Sequence, residues 1–281
     1  MTAPTTDLVL TSPVMVASGC GGTGRELAAF TDLTTLGGFV TRSISLAPRP
    51  GGSHPRILET PSGLVHAVDL QNPGIDQFLA LELPWLVQQG VQVFVSVVGR
   101  TLGEYAELAR RLGRTPGIAG IEINLSPPDA AGSGVFDVRE PFHAASVVAA
   151  VHRDLPRGLP VLAKLRSDLV RVAESARAVL EAGADGVVVG NALPAAMPDG
   201  RPAGLSGPAI RPLALRCLIE VLGATSGSVV IASGGITDVA DARAALDLGA
   251  TAVQVGSALL HDPTTVSRLV TGLAPIGEDE S

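Results

Sequence analysis

Short apolar runs alternate with amphipathic stretches along most of this chain. Residues 14–17, 38–41, 91–97, 118–124, 160–165, 186–189, 229–231 and 252–255 are nearly continuous apolar segments. That pattern predicts parallel strands buried on both faces. Helical spacing fills the intervals. Thr101 and Glu104 have the separation of a capping box, and Gly183 stands where a helix over 170–182 must stop. Asp238 is a predicted N-cap, with Val239, Ala242 and Leu246 on one face. Asp262-Pro263 pairs an N-cap with proline at the first helical position.

A strand-then-helix unit repeated eight times predicts a parallel sheet. Eight units predict closure into a (β/α)8 TIM barrel of the α/β class, as one domain over 1–281. The competing architecture is an open doubly wound sheet. Gly19-Cys20-Gly21-Gly22-Thr23-Gly24 is glycine-rich but lacks the dinucleotide spacing. Three long segments, 42–74, 125–140 and 190–207, follow the second, fourth and sixth strands. They read as loops, and in a barrel all three rise from the catalytic face.

The last two strands end in small residues. Ala232-Ser233-Gly234-Gly235 follows one and Gly256-Ser257 follows the other. Backbone N–H groups beside helix starts bind an anion without a basic side chain. The alternative is a pair of ordinary βα turns that need glycine for tightness. Polar residues also stand where other strands end: Ser18, Thr41-Arg42-Ser43, Ser96, Asn124, Lys164 and Asn191. Lys164 closes an apolar strand with no acid adjacent in sequence. It is either paired inside the barrel mouth or aimed at an electron-rich ligand. Asn124 and Asn191 donate and accept, which suits the edge of a heterocycle; a turn or cap role is equally open for each.

Composition narrows the function classes. A formal charge of −7 and an aromatic content of 3% give neither a basic footprint nor a base-stacking platform for nucleic acid. Cys20 and Cys217 are far apart, with no metal spacing and no disulfide framework, which predicts no metal and a reducing cytoplasm. The first residues lack a signal-peptide pattern, and no apolar run is long enough to span a bilayer. Cys217, on an apolar helix face, and Cys20 both read as buried structural thiols, with a thiol near the mouth as the second reading for Cys20.

Several strings resemble class 1 dihydroorotate dehydrogenases and their close relatives. They are PVMVASG near the start, ETPSGLVHAVDLQNPGID over 59–76, EINLSPP at the fourth strand and VLAKLRSD at the fifth. GADGVVVGNAL, GLSGPAIRPLALRCLIEV, ASGGI and GATAVQVGSALL complete the series in order. The resemblance implies a barrel that binds FMN at its C-terminal mouth, works on a small-molecule substrate, and forms a homodimer. Ala17, Ser18 and Gly19 match backbone contacts to the flavin ring. Arg42, Ser43, Ser96, Asn124, Lys164 and Asn191 match polar contacts to the cofactor. Ser206-Gly207, Gly234-Gly235 and Gly256-Ser257 match its phosphate cup. Lys164 suits the electron-rich edge of a reduced flavin.

The substrate side departs from the resembled pattern. Pro127 holds the position of the cysteine or serine base, and Asp129 that of an asparagine. His66 and Asp69 replace an asparagine and a glycine, Arg42 a lysine, and Ala192 a hydroxyl residue. Asp69 and Asp129 are expected to repel an anion such as orotate. The substrate contacts expected are Arg42, His66, Asp69, Asn124, Asp129 and Asn191. With Lys164, the acid–base candidates are His66, Ser126 and Asp129; histidine is the side-chain type that ordinarily titrates nearest neutrality, and a loop-packing role is its alternative. These changes favour an FMN oxidoreductase retuned to another small polar substrate. The alternatives are dihydroorotate dehydrogenase itself, with a replacement base and an electron-transfer partner subunit, and a non-catalytic barrel that binds a phosphorylated ligand.

Overall fold

The computed structural model describes residues 8–126, 136 and 140–274. Twelve strands run in chain order: β1 Val14–Val16, β2 Gly38–Val40, β3 Ile57–Thr60, β4 Gly63–His66, β5 Val93–Val97 and β6 Ile118–Asn124. Then follow β7 Val161–Leu165, β8 Gly186–Val189, β9 Leu193–Ala196, β10 Pro202–Ser206, β11 Val229–Ser233 and β12 Ala252–Val255. Eight of them close a barrel in the order β1-β12-β11-β8-β7-β6-β5-β2, with parallel neighbours throughout. The fold is the TIM barrel expected from the repeat, not an open sheet.

Side-chain alternation explains the two cores. Met15, Val40, Phe94, Leu162, Val188, Ile231 and Ala252 cluster separately from the larger core. They form the apolar plug inside the barrel. Their strand neighbours, such as Val93, Val95, Val161, Ala163, Val187 and Val253, face the helical layer. Gly120 leaves the space that Phe94 fills, because a Cβ there would lie 2.7 Å from the Phe94 ring. Two residues further along the same strand faces, the barrel becomes polar. Phe94 is succeeded by Ser96, Leu162 by Lys164 and Ala252 by Gln254, all buried. The plug therefore ends in a polar layer at the C-terminal mouth.

Two of the three long segments are not plain loops. β3, β4, β10 and β9 form a four-stranded antiparallel sheet, in that order, beside the mouth. Its strands are short, half-exposed and interrupted by proline and glycine, so they carry little periodic signal. Gly63 makes the crossing possible: a Cβ there would lie 2.1 Å from the Ser206 carbonyl oxygen. The helix expected over 75–89 is interrupted by a wider π-helical turn over Phe78–Glu82. Pro84, which has no N–H to donate, stands two residues beyond, in the first turn of the next helical segment.

The predicted caps hold in part. Asp238 accepts from the Asp241 N–H at 2.9 Å. Thr101 accepts from the Glu104 N–H at 3.2 Å, but Glu104 reaches back to the Arg100 N–H rather than to that of the cap. Asp262 instead binds the Thr264 N–H and hydroxyl, and the last helix starts at Thr265. Among the described residues no helix is long and apolar enough to cross a membrane.

Candidate active site

One cavity of about 360 Å³ opens at the barrel mouth. It gathers residues from loops that are remote in sequence. The turn after β1 contributes Ala17, Ser18, Gly19 and Cys20; the segment after β2 contributes Arg42 and Ser43. Asn124, Lys164 and Asn191 come from β6, β7 and the end of β8. Gly234-Gly235 and Gly256-Ser257 line the cavity from the turns after β11 and β12, and Ile57, Leu64, His66 and Ser206 line it from the antiparallel sheet, with Gly207 directly after β10. A pocket that is mostly apolar with a few convergent polar groups is the usual form of a small-molecule site.

The polar residues form one connected set. Ser43 and Ser96 share a hydrogen bond of 2.9 Å between their hydroxyls, and Asn124 donates from Nδ2 to Ser43 Oγ at 2.9 Å. Asn191 Nδ2 donates to Asn124 Oδ1 at 3.3 Å, to the Ser126 carbonyl at 3.0 Å and to Ser126 Oγ at 3.2 Å. Ser167 Oγ in turn donates to the Asn191 carbonyl at 3.1 Å. These bonds fix which amide edges face the cavity. Ser96 is fully buried beneath Ser43 and supports it from behind.

Lys164 is paired inside the barrel mouth, the first of the two fates its sequence context allowed. It lines the cavity, and its Nζ donates to Gln254 Oε1 at 2.7 Å while lying 3.6 Å from Glu122 Oε1. Gln254 Nε2 donates to Glu122 Oε2 at 2.6 Å. The acid that Lys164 lacks next to it in sequence is supplied by the adjacent strand β6. Sequence reasoning missed Glu122 and Gln254. The available signal was a polar residue flanked by apolar neighbours inside each strand, Glu122 between Ile121 and Ile123 and Gln254 between Val253 and Val255.

The glycine wall fits an anionic group. Among the described residues the cavity has no lysine or arginine lining apart from Arg42 and Lys164, so the Gly207, Gly234, Gly235, Gly256 and Ser257 side offers backbone rather than cations. Gly207, Gly234 and Gly235 have φ of 100°, 115° and 73°. A Cβ on Gly235 would lie 2.5 Å from Arg211 Cβ and 2.9 Å from the Arg211 backbone nitrogen, so only glycine brings this turn so close to the helix that starts there. A phosphate at this end and a polar heterocycle against Asn124 and Lys164 match the donor set.

Not every expected contact reaches the cavity. Asp69 does not line it; its carboxylate is held 3.1 Å from Arg49 Nη2. This corrects the expectation that Asp69 faces a substrate, because the guanidinium draws it aside. Asp69 and Leu70 both have positive φ, 53° and 54°. Aspartate tolerates that region better than most residues; leucine does not, and Leu70 is a lining residue. Arg42 lines the cavity with its Nε 3.9 Å from Glu82 Oε2. Burial pushes the Glu82 carboxyl up, and the Arg42 charge opposes that rise. Cys20 corrects its expected structural role: it is a partly exposed lining residue, whereas Cys217 is fully buried as expected. Pro127 and Asp129 lie outside the described residues. Among the described residues no three His, Cys, Asp or Glu side chains gather to hold a metal.

A closed eight-stranded parallel barrel with a polar mouth and a glycine-rich wall places the chain in the class of (β/α)8 barrel proteins, whose sites lie at the C-terminal end of the strands. The comparisons with known proteins go further. Residues 2–276 match the family model of dihydroorotate dehydrogenase, and the chain belongs to that family of oxidoreductases. It is 40% identical, over 97% of its length and 92% of the relative's, to the catalytic subunit of dihydroorotate dehydrogenase B (NAD(+)) of Pelobacter propionicus. The corresponding subunit of Trichlorobacter lovleyi is 41% identical over 95% of this chain and 90% of that protein. The crystal structure of DHODH from Eimeria tenella in complex with ferulenol superposes with a TM-score of 0.77 at 21% identity, covering 93% of this chain and 80% of that one. That last likeness speaks to the fold.

Proposed function

We propose that this chain, as one domain, binds FMN in the barrel-mouth cavity and oxidises dihydroorotate to orotate, passing electrons to a partner subunit and from there to NAD. The observation that carries the flavin reading is the buried Lys164 ammonium in a cavity that is also walled by glycine backbone. The substrate comes from the relatives: both bacterial proteins are named as dihydroorotate dehydrogenase catalytic subunits, which gives the dihydroorotate reading more weight than the retuned one. Bound FMN supplies a hydride acceptor. The chain's own groups do the rest. Backbone of Gly234, Gly235, Gly256 and Ser257 holds the phosphate, Ser43, Asn124 and Asn191 orient the heterocycle, and Lys164 offers positive charge where electron density accumulates. We assign the substrate proton to His66 or Ser126: His66 lines the cavity from β4, and Ser126 Oγ accepts from Asn191, a lining residue. The assembly we propose is a homodimer bound to an electron-transfer subunit.

A second reading, oxidation of a different small polar substrate, is favoured by one specific feature. Arg42, His66 and Ala192 all line the cavity at positions where the resembled pattern carries lysine, asparagine and a hydroxyl, and Pro127 has no titratable atom. Anaerobic rapid mixing of the FMN-loaded protein with dihydroorotate separates the two. Bleaching of the flavin within a turnover time supports dihydroorotate. A flavin that is reduced by dithionite but untouched by dihydroorotate supports the second reading. A protein that takes up no FMN leaves the non-catalytic phosphate-binding barrel.

A further inference from the structure

Two polar side chains inside the barrel wall have no part in the roles assigned above. Glu122 and Gln254 are both 0% exposed, and Lys164 is 4% exposed. Gln254 spans the other two: its Oε1 accepts from Lys164 Nζ at 2.7 Å and its Nε2 donates to Glu122 Oε2 at 2.6 Å. Only this orientation of the amide satisfies both neighbours, because its oxygen must face the ammonium and its nitrogen the carboxylate. Among the described residues Glu122 Oε1 has no hydrogen-bond partner, and it lies 3.6 Å from Nζ. An acid in that position costs stability unless it has a charge to answer. Below the trio lies the apolar plug of Met15, Phe94, Leu162 and Ala252, so water does little to screen it. The trio is neutral as a whole, with its cationic end at the cavity.

We propose that Glu122 and Gln254 are positioning residues that act through Lys164. Gln254 holds the ammonium at the cavity wall. Glu122 partly cancels its charge, and so sets how strongly the site prefers the anionic, reduced form of its ligand over the oxidised form. This deepens the flavin reading and rests on it. The preference is measurable as the ratio of affinities for reduced and oxidised FMN, which the midpoint potential of the bound flavin reports.

The test is that potential in the wild type and in Glu122→Gln, Lys164→Met and the double variant, together with urea unfolding of the same four apoproteins. Glu122→Gln is expected to raise the preference for reduced FMN on the order of tenfold, about 30 mV for a two-electron couple, and Lys164→Met to lower it. An unchanged or lowered preference in Glu122→Gln overturns the proposal. Without flavin, each single variant strands a buried charge, so the double variant is expected to be more stable than the two losses summed. Simple additivity also overturns it. If Glu122→Gln does not fold while the double variant does, the coupling is shown directly. Gln254→Leu then carries the potential measurement: Lys164 closes on Glu122 and the preference for reduced FMN falls, whereas an unchanged value counts against the proposal. A wild type that takes up no FMN defeats the flavin reading and the claim about potential. The unfolding cycle still judges the pair on its own.

Discussion

Asn191, at the end of β8, donates from its side-chain amide to both the carbonyl and the hydroxyl of Ser126, at 3.0 and 3.2 Å. This couples the exit of β6, which leads into the segment holding Pro127 and Asp129, to the cavity wall. Asn191→Ala removes that tether and one edge of the heterocycle site. Turnover is expected to fall at least about tenfold, from lost orientation of the reacting groups. FMN affinity is expected to fall less, because Lys164, Asn124 and the glycine wall stay in place. Steady-state kinetics and an FMN titration on the same preparation check this. Equal losses in both would mean that the tether serves cofactor binding alone.

Lys164→Ala is expected to weaken FMN binding by about 1–3 kcal/mol, the range for losing a charge-assisted hydrogen bond together with the stranding of Glu122. Fluorescence titration of FMN reads the loss. An affinity within twofold of wild type would remove Lys164 from the cofactor site.

His66 and Asp69, three residues apart, are expected to behave differently. His66 lines the cavity, so His66→Gln should alter the pH profile of flavin reduction by the substrate. Asp69 is turned to Arg49, so Asp69→Asn should change KM by no more than about twofold and act instead on stability, by about 0–1 kcal/mol as for other partly exposed ion pairs. A His66→Gln enzyme with an unchanged profile would leave the histidine a packing role.

Burial also sets the alkaline limit of the fold. It pushes the Cys217 thiol up from 9.0 to about 11, and the Tyr105 phenol up from 10.0 to about 12. The folded chain therefore holds these protons more tightly than the unfolded chain. Their contribution is complete below about pH 9 and is lost as pH rises through about 11 and 12. The urea midpoint should fall steadily above about pH 9, and Tyr105→Phe should flatten the upper part of that decline. A midpoint that holds constant to about pH 11 would contradict this.

The barrel strands were legible because each is a run of apolar residues closed by a small or polar one, as in Val161 to Lys164 or Ala252 to Gly256. The antiparallel sheet was not. Ile57–Thr60 and Leu193–Ala196 are four-residue strands that alternate between exposed and half-buried; each forms a local hairpin with β4 or β10, and the β4–β10 pairing that joins the two hairpins is a long-range event with little local trace. Site residues at strand ends were legible for the same reason as the strands. The connected set Ser96–Ser43–Asn124–Asn191 follows from barrel closure, which brings four remote strand ends to one rim. Glu122 and Gln254 stood in the sequence as isolated polar residues; only the ring of strands shows that they meet Lys164. Asp69 misled because its spacing from His66 put it beside the site, while its partner Arg49 lies in an irregular segment.

The central claim is that the mouth of this barrel is a flavin site, and the most direct measurement is equilibrium titration of the purified apoprotein with FMN, followed by flavin fluorescence. The account predicts saturable quenching at one FMN per chain, weakened by Gly235→Leu, which would fill the turn against Arg211. No uptake by the wild type, or uptake that this substitution leaves untouched, would contradict it.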